Sequence, residues 1–309
     1  MRLRSDDDHP PAVLPDATVD LDRWSPLDDS IPDHWRTPIV SISDIHGYLH
    51  EARSALTAVG ESDRFDPVVT QEEDGTLHWA DNDYVLVFNG DMVDRGDHNE
   101  ETLELVLRLL DEAPRGRVRF HLGNHEMAVM LPAVLYWPST YSGRLTDGSR
   151  ERFLDWVETG LVGAAFEGHE YTYSHAGSRD SVDARAANRE VQNAARDLRE
   201  AIDAGEYIEV QEEIPERYPT VFGLEGSMGR GPDAGLLWMD FAHMPVDSSK
   251  QVVGHSKHST PTRNGNAVCE NVIRQNRKKG GGEGVLVETP DALFSVTRRR
   301  DGGVSVSRP

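Results

Sequence analysis

The stretch Tyr84-Val85-Leu86-Val87-Phe88-Asn89-Gly90-Asp91-Met92-Val93-Asp94-Arg95-Gly96 joins two patterns with opposite physical demands. Its first five residues are apolar, β-branched and aromatic, which predicts a buried strand. The run stops at Asn89-Gly90, and Asp91, Asp94 and Arg95 follow at once. Further on, Leu103, Leu105, Val106, Leu107, Leu109 and Leu110 predict a helix. Strand, polar loop and helix form the repeating unit of an α/β sheet, and such sheets place ligands beyond the carboxyl ends of their strands. A polar turn with a helix-capping Asp would read the same way in isolation. Four other loops with matching chemistry decide between the two.

The 309 residues suffice for one large α/β domain or two small ones. No run of 18 apolar residues and no signal-peptide pattern is present, which predicts a soluble, cytoplasmic protein. A single cysteine, Cys269, excludes an intrachain disulfide framework and a cysteine-rich zinc site. Within Ala267-Val268-Cys269 it reads as a small packed residue. The formal net charge is -22, and of the 32 cationic side chains only Lys250, Lys257, Lys278 and Lys279 are lysines. Such a surface repels nucleic acid and anionic membranes, so neither is expected as a partner. Acidity combined with scarce lysine predicts a salt-adapted protein whose self-repulsion is screened at high ionic strength. A GC-rich genome would account for the arginine bias alone.

Residues 1–36 are rich in Asp and Pro and lack a sustained period, so they read as an acidic, partly disordered arm that Trp24 and Trp35 dock. A first core strand, Pro38 to Ser43, ends at Asp44-Ile45-His46-Gly47, and Leu49, Ala52, Leu56 and Val59 follow at helical spacing. Residues 61–82 are polar, with a turn at Asp74-Gly75. Val118 to Leu122 is a third strand ending at Gly123-Asn124-His125-Glu126, with a helix beyond it. Residues 149–159 and 180–204 read as helices, whereas 205–235 have no clear period. Glu170 to Ser174 alternates as a strand and delivers His175-Ala176-Gly177; Gln251-Val252-Val253 delivers Gly254-His255-Ser256. Three strand-like runs follow, at 267–273, 284–288 and 293–297, with a basic, flexible Arg277-Lys278-Lys279-Gly280-Gly281-Gly282 loop between the first two. One domain over 37–300 is expected, with a charged helical insertion at 178–230 and a C-terminal tail at 301–309.

Five strand ends thus carry Asp44-x-His46, Asp91-x-x-Asp94-Arg95, Asn124-His125, His175 and His255. Carboxylate, imidazole and amide oxygen suit Mn²⁺, Fe or Zn²⁺. A carboxylate at the central strand end can bridge two ions, which together can clamp a phosphate and activate a water. Phosphate ester hydrolysis needs such help, being among the slowest uncatalysed reactions. Neutralising cations let an anionic nucleophile approach. A nearby histidine can protonate the leaving oxygen, and arginine matches the remaining phosphate oxygens bidentately.

The series Asp44-x-His46-Gly47, Gly90-Asp91-x-Val93-Asp94-Arg95-Gly96, Gly123-Asn124-His125-Glu126, His175-Ala176-Gly177 and Gly254-His255 resembles the calcineurin-like metallophosphoesterase superfamily. Val93-Asp94-Arg95-Gly96 and the Glu126 ending resemble its phosphoprotein phosphatase branch. The resemblance implies a four-layer αββα sandwich, and two divalent metal ions, Mn²⁺ foremost. Asp44, His46 and Asp91 would hold the first, and Asp91, Asn124, His175 and His255 the second. It further implies that His125 protonates the leaving group, that Asp94 orients His125, and that Arg95 and Asn124 bind the phosphate.

The sequence also departs from that branch. His255 is followed by Ser256-Lys257-His258, which places the next histidine one residue too far for the Gly-His-x-His of nucleases and phosphodiesterases. His175-Ala176-Gly177 resembles bacterial-type members and diadenosine tetraphosphatases rather than the His-Gly-Gly of animal protein phosphatases. Leu236-Leu237-Trp238-Met239-Asp240 matches the run that precedes the second phosphate-binding arginine, but no Asp-Arg-Gly follows it. Arg230 is the substitute, ahead of Arg263 and Arg274. The expected activity is that of a serine/threonine-type protein phosphatase acting on a phosphoprotein, or else hydrolysis of a phosphorylated small molecule such as a dinucleoside polyphosphate. A catalytically silent binding protein of the same fold is the non-enzymatic alternative. The 178–230 insertion, with Tyr207, Tyr218 and Phe222, would recognise a protein surface or stack a base, unless it is a solvated helical face.

Overall fold

The structure, a computed structural model, describes residues 10–16, 29–32 and 34–309. Its strands are β1 (Ile39–Ile42), β2 (Val69–Gln71), β3 (Leu77–Trp79), β4 (Val85–Phe88), β5 (Val118–His121), β6 (Val162–Gly163), β7 (Ala165–Glu167), β8 (Thr172–Ser174), β9 (Gln251–Val253), β10 (Thr262–Asn264), β11 (Ala267–Cys269), β12 (Gly284–Thr289), β13 (Ala292–Arg298) and β14 (Val304–Ser307). Its α-helices are α1 (Leu49–Gly60), α2 (Asn99–Glu112), α3 (Asn124–Met130), α4 (Tyr141–Arg144), α5 (Asp147–Glu158), α6 (Ala184–Ala204), α7 (Tyr207–Arg217), α8 (Pro219–Phe222) and α9 (Ile273–Asn276).

A seven-stranded sheet runs in the order β14-β13-β12-β1-β4-β5-β6, and a five-stranded sheet in the order β10-β11-β9-β8-β7. β1, β4, β5 and β6 are mutually parallel, as strand–helix alternation requires. Strand period sets the layers. Ile39, Val85 and Val87 point between the sheets, against Phe166, Tyr173, Val252 and Val268. The intervening Val40, Ile42, Leu86 and Phe88 point outward into the helix-covered core. There α1 buries Leu49, Ala52, Leu56 and Val59, and α2 buries Leu103, Val106, Leu107 and Leu110. This is the αββα sandwich, and it brings the carboxyl ends of β1, β4, β5, β8 and β9 to one edge.

Several sequence expectations change. Residues 301–309, expected as a tail, contain β14, which pairs antiparallel with β13 through Val296 and Val306. Four residues of alternation are too short to stand out in the sequence. The run 267–273 is a strand only to Cys269, after which the chain turns into α9. Residues 61–82 form a β2–β3 hairpin around Asp74-Gly75. Residues 205–235 hold α7 and α8, whose period is obscured by Pro215 and Pro219. In the N-terminal arm, Ala12, Leu14 and Ile31 are buried, and Arg117 lies 3.7 Å over the Trp35 ring. Trp24 is outside the described residues.

Candidate active site

The five loops meet at one place, and Asp44, His46, Asp91, Asp94, Asn124, His125, His175 and His255 are all buried there. The loops bend sharply to present them. Nine non-glycine residues among those described have positive φ, and six of the nine are Asp44, His46, Asp91, Asp94, Arg95 and His255. Left-handed backbone costs an ordinary residue of order 1–3 kcal/mol and persists only where its surroundings enforce it. Here Glu126 supplies much of the enforcement. Its carboxylate accepts from the backbone N–H groups of Asp91 (2.8 Å), Met92 (2.9 Å) and Gly123 (2.9 Å). Burial raises that carboxyl to about 7, with the Asp91 charge adding to the rise. Only glycine fits at 123, since a Cβ would lie 2.2 Å from Asp91 Oδ1.

The floor of the site is a set of lone pairs aimed at one another. His46 Nδ1 donates to the Val93 carbonyl at 2.9 Å, so in the neutral ring Nε2 is an acceptor. That Nε2 faces Asp44 Oδ1 at 3.7 Å and Asp91 Oδ2 at 3.5 Å. His175 Nδ1 donates to the Asn89 carbonyl at 3.0 Å, and its Nε2 faces Asp91 Oδ2 at 3.4 Å and Asn124 Oδ1 at 3.3 Å. Asn124 Oδ1 is also 3.0 Å from His255 Nδ1, and the buried His255 Nε2 has no partner in the protein. Thus one oxygen, Asp91 Oδ2, stands between two imidazole nitrogens. The other acceptor positions of the carboxylates are already used: Asp91 Oδ1 accepts from His125 N–H, and Asp44 accepts from Asn271 Nδ2 (2.6 Å) and His255 N–H (2.9 Å).

Such a donor set fits divalent metal ions. Nitrogen and oxygen ligands at 2.0–2.2 Å from an ion lie roughly 3.0–3.6 Å from each other, close to the separations found. Two spatial groups can hold an ion: His46 with Asp91 and His125, and Asp91 with His175 and His255. The electrostatics agree. Burial pulls the His175 imidazole down, yet the Asp91 carboxylate outweighs it and raises the ring to about 9, so positive charge is favoured at Nε2. Burial likewise opposes ionisation of Asp91, but His175 and then His125 hold its carboxyl well below the usual range. Asp44, where burial dominates, rises to about 6, and His46 falls to about 3 for the same reason.

Above this floor, His125 has both ring nitrogens engaged. Its Nδ1 is 2.6 Å from Asp94 Oδ2, and its Nε2 is 3.2 Å from Arg95 Nη2. Burial lowers its pKa, but Asp91 and Asp94 raise it overall. Asp94 is itself fixed by Ser142, through N–H to Oδ1 at 2.8 Å and Oγ to Oδ2 at 2.7 Å. Ser142 is pinned in turn by the buried Arg150, which donates to its carbonyl at 2.8 Å and to the Val129 carbonyl at 2.8 Å.

A cavity of about 280 Å³ opens over the floor. Its walls are His46, Asp91, Asn124, His125 and His255 below, Trp137, Trp238 and Met228 on one side, and Arg95, Arg230, Lys257 and Arg274 around the mouth. Arg230 is tied to Asp240 at 2.9 Å. Arg263 lies elsewhere, on β10, where it donates to the Pro309 carbonyl (2.9 Å) and the Tyr171 hydroxyl (3.3 Å). A larger cleft of about 1100 Å³ lies at the amino ends of the same strands, lined by Trp35, Arg64, Tyr84 and Arg117; it contains none of the motif residues. Asn271, Ser142, Trp137 and Lys257 carry no motif and were not singled out by sequence.

Residues 37–224 match the calcineurin-like phosphoesterase family, and the chain belongs to it. It is a metal-dependent phosphoesterase. Among solved structures, a cold-active protein tyrosine phosphatase aligns over 96% of this chain and 87% of its own, with 16% identity and a TM-score of 0.58. The cold-active protein tyrosine phosphatase of a psychrophilic Shewanella species aligns over 90% and 83%, with 18% identity and a TM-score of 0.53. At these identities the likeness concerns the fold.

Proposed function

We propose that the protein is a phosphomonoesterase of the protein phosphatase type, acting on phosphorylated side chains with two divalent ions in its floor. The observation that carries this reading is Asp91 Oδ2, held 3.5 Å from His46 Nε2 and 3.4 Å from His175 Nε2, with both imidazoles oriented by backbone carbonyls. A single carboxylate oxygen between two such ligands is the geometry of a bridge. Asp44, His46 and Asp91 would hold one ion, and Asp91, Asn124, His175 and His255 the other. Bound divalent ions supply charge for the phosphoryl oxygens and acidify water. Mn²⁺ is the first choice, with Fe and Zn²⁺ compatible.

The protein's own groups do the rest. Arg95 and Arg230 face the cavity and would bind the phosphate oxygens, with the Asn124 amide beside them. His125 delivers a proton to the leaving oxygen from Nε2, which requires Arg95 to move from His125 onto the phosphate. Asp94 keeps the imidazole oriented and stabilises its charged form. Because Nδ1–H is committed to Asp94, only Nε2 is available for transfer. Trp137 and Trp238 screen that side of the cavity from water.

The test is phosphate release by Mn²⁺-reconstituted protein in high-salt buffer. A phosphoserine/phosphothreonine peptide, a phosphotyrosine peptide and diadenosine tetraphosphate are compared at matched concentrations. The phosphotyrosine arm is included because the two solved neighbours are tyrosine phosphatases. A large kcat/KM advantage for the serine/threonine peptide supports the reading. An advantage for the dinucleotide replaces it and makes the 178–230 segment a base-binding lid. Two bound metals with no turnover of any arm point to a silent binder.

A further inference from the structure

The cations at the cavity mouth are arranged unlike those on the rest of the surface. Elsewhere arginines are matched with carboxylates, as in Arg152–Asp16 (3.0 Å), Arg185–Asp29 (3.0 Å) and Arg217–Asp197 (2.6 Å). In a chain with 54 acidic and 32 basic side chains, an arginine or lysine finds a partner easily. Arg274 and Lys257 do not: among the described residues neither side chain makes a hydrogen bond or ion pair. They face the same cavity as Arg95, which also lacks a carboxylate partner, and Arg230. Arg277 stands behind them, over the Tyr48 ring at 5.3 Å, and Lys278 and Lys279 follow it in the chain. Three of the four lysines therefore lie in or next to this rim. Like charges held together without counter-charge repel, and the arrangement is relieved by an anion.

One phosphate does not use this charge. A scissile phosphate over the floor is served by Arg95, Arg230 and the ligand set below it. Lys257 and Arg274 remain on the opposite side of the mouth from Trp137 and Met228. We propose that Lys257 and Arg274 form a second anion subsite, and that the substrate carries a second phosphate group next to the one hydrolysed. This rests on the phosphoesterase reading of the same site and narrows its substrate class. The second phosphate can belong to an oligophosphate chain or to a neighbouring phosphorylated residue of a peptide.

The experiment measures kcat/KM for phosphate release at buffered free Mn²⁺ on two matched pairs. One pair is AMP and ADP; the other is a peptide with one phosphoserine and the same peptide with two adjoining phosphoserines. In the wild type, the doubly phosphorylated member of at least one pair exceeds its counterpart by about tenfold or more, and the pair that does so names the source. In Arg274→Gln and in Lys257→Gln that ratio falls toward one, while Arg274→Lys, which keeps the charge, retains most of it. Wild-type ratios near one in both pairs, or variants that slow both members equally, overturn the subsite. If nothing is hydrolysed, the proposed function fails. Equilibrium binding of AMP, ADP and the two peptides to the same proteins then decides the subsite by the same ratios.

Discussion

The floor and the rim of the cavity are built on opposite rules. The floor gathers acceptors: Asp44, Asp91, Asn124 and three imidazoles turn lone pairs toward a common centre. The rim gathers cations: Arg95, Lys257 and Arg274 stand above that centre without pairing to its carboxylates. Side chains free to choose would collapse onto one another as ion pairs. They are kept apart because the floor's remaining oxygens are taken by N–H donors of His125, Asn271 and His255, and because the strand-end loops hold left-handed backbone. The separation shows what each layer is for. A floor of lone pairs receives metal cations, and a rim of cations receives an anionic substrate.

His125 lies on the boundary between the two layers, so it is the most informative place to disturb them. His125→Asn should leave metal content unchanged while lowering turnover of poor leaving groups by roughly 10²–10⁴-fold. An aryl phosphate, whose leaving group needs little protonation, should lose much less. Metal analysis and the two substrates together check this, and equal losses on both would remove the proton-donor role. The rim variants Arg274→Gln and Lys257→Gln come next in size, at about tenfold on a ratio.

The smallest effect lies beneath the floor. Glu270 is buried between the sheets, where its Oε1 accepts from Ser41 Oγ (2.7 Å) and Asn89 Nδ2 (3.2 Å) while Oε2 has no partner. Burial raises its carboxyl to about 8. The folded chain therefore keeps a proton between the unfolded carboxyl range and pH 8 that the unfolded chain has released. Its stability should fall as pH rises through that window. Glu270→Gln mimics the protonated form, so its advantage over wild type should grow by about 1–2 kcal/mol between pH 6 and pH 7.5. Urea unfolding at the two pH values measures this, and parallel changes in both proteins would show that Glu270 is not the source.

The sequence discloses the floor far better than the rim. β1, β4, β5, β8 and β9 are short apolar runs that stop at polar residues, so their ends mark the ligands directly. Asp44, His46, Asp91, Asn124, His125, His175 and His255 were all named from those breaks and the family resemblance. The supports were harder to see, because Ser142, Arg150 and Asn271 reach the site from loops and helices without any motif. Arg263 and Arg274 looked alike in sequence, yet β10 carries the first to the far edge of its sheet, and α9 turns the second into the cavity. The edge strand β14 and the Pro-interrupted helices α7 and α8 lacked enough period to register.

The central claim is that Asp91 joins two ions in the floor. Metal-free wild type and Asp91→Asn are titrated with Mn²⁺, and bound metal per chain and phosphate release are followed together. The account predicts two equivalents bound to wild type, with activity complete only at the second. For Asp91→Asn it predicts a deficit of at least one equivalent and loss of turnover. Two equivalents retained by Asp91→Asn, or full wild-type activity without bound metal, would contradict it.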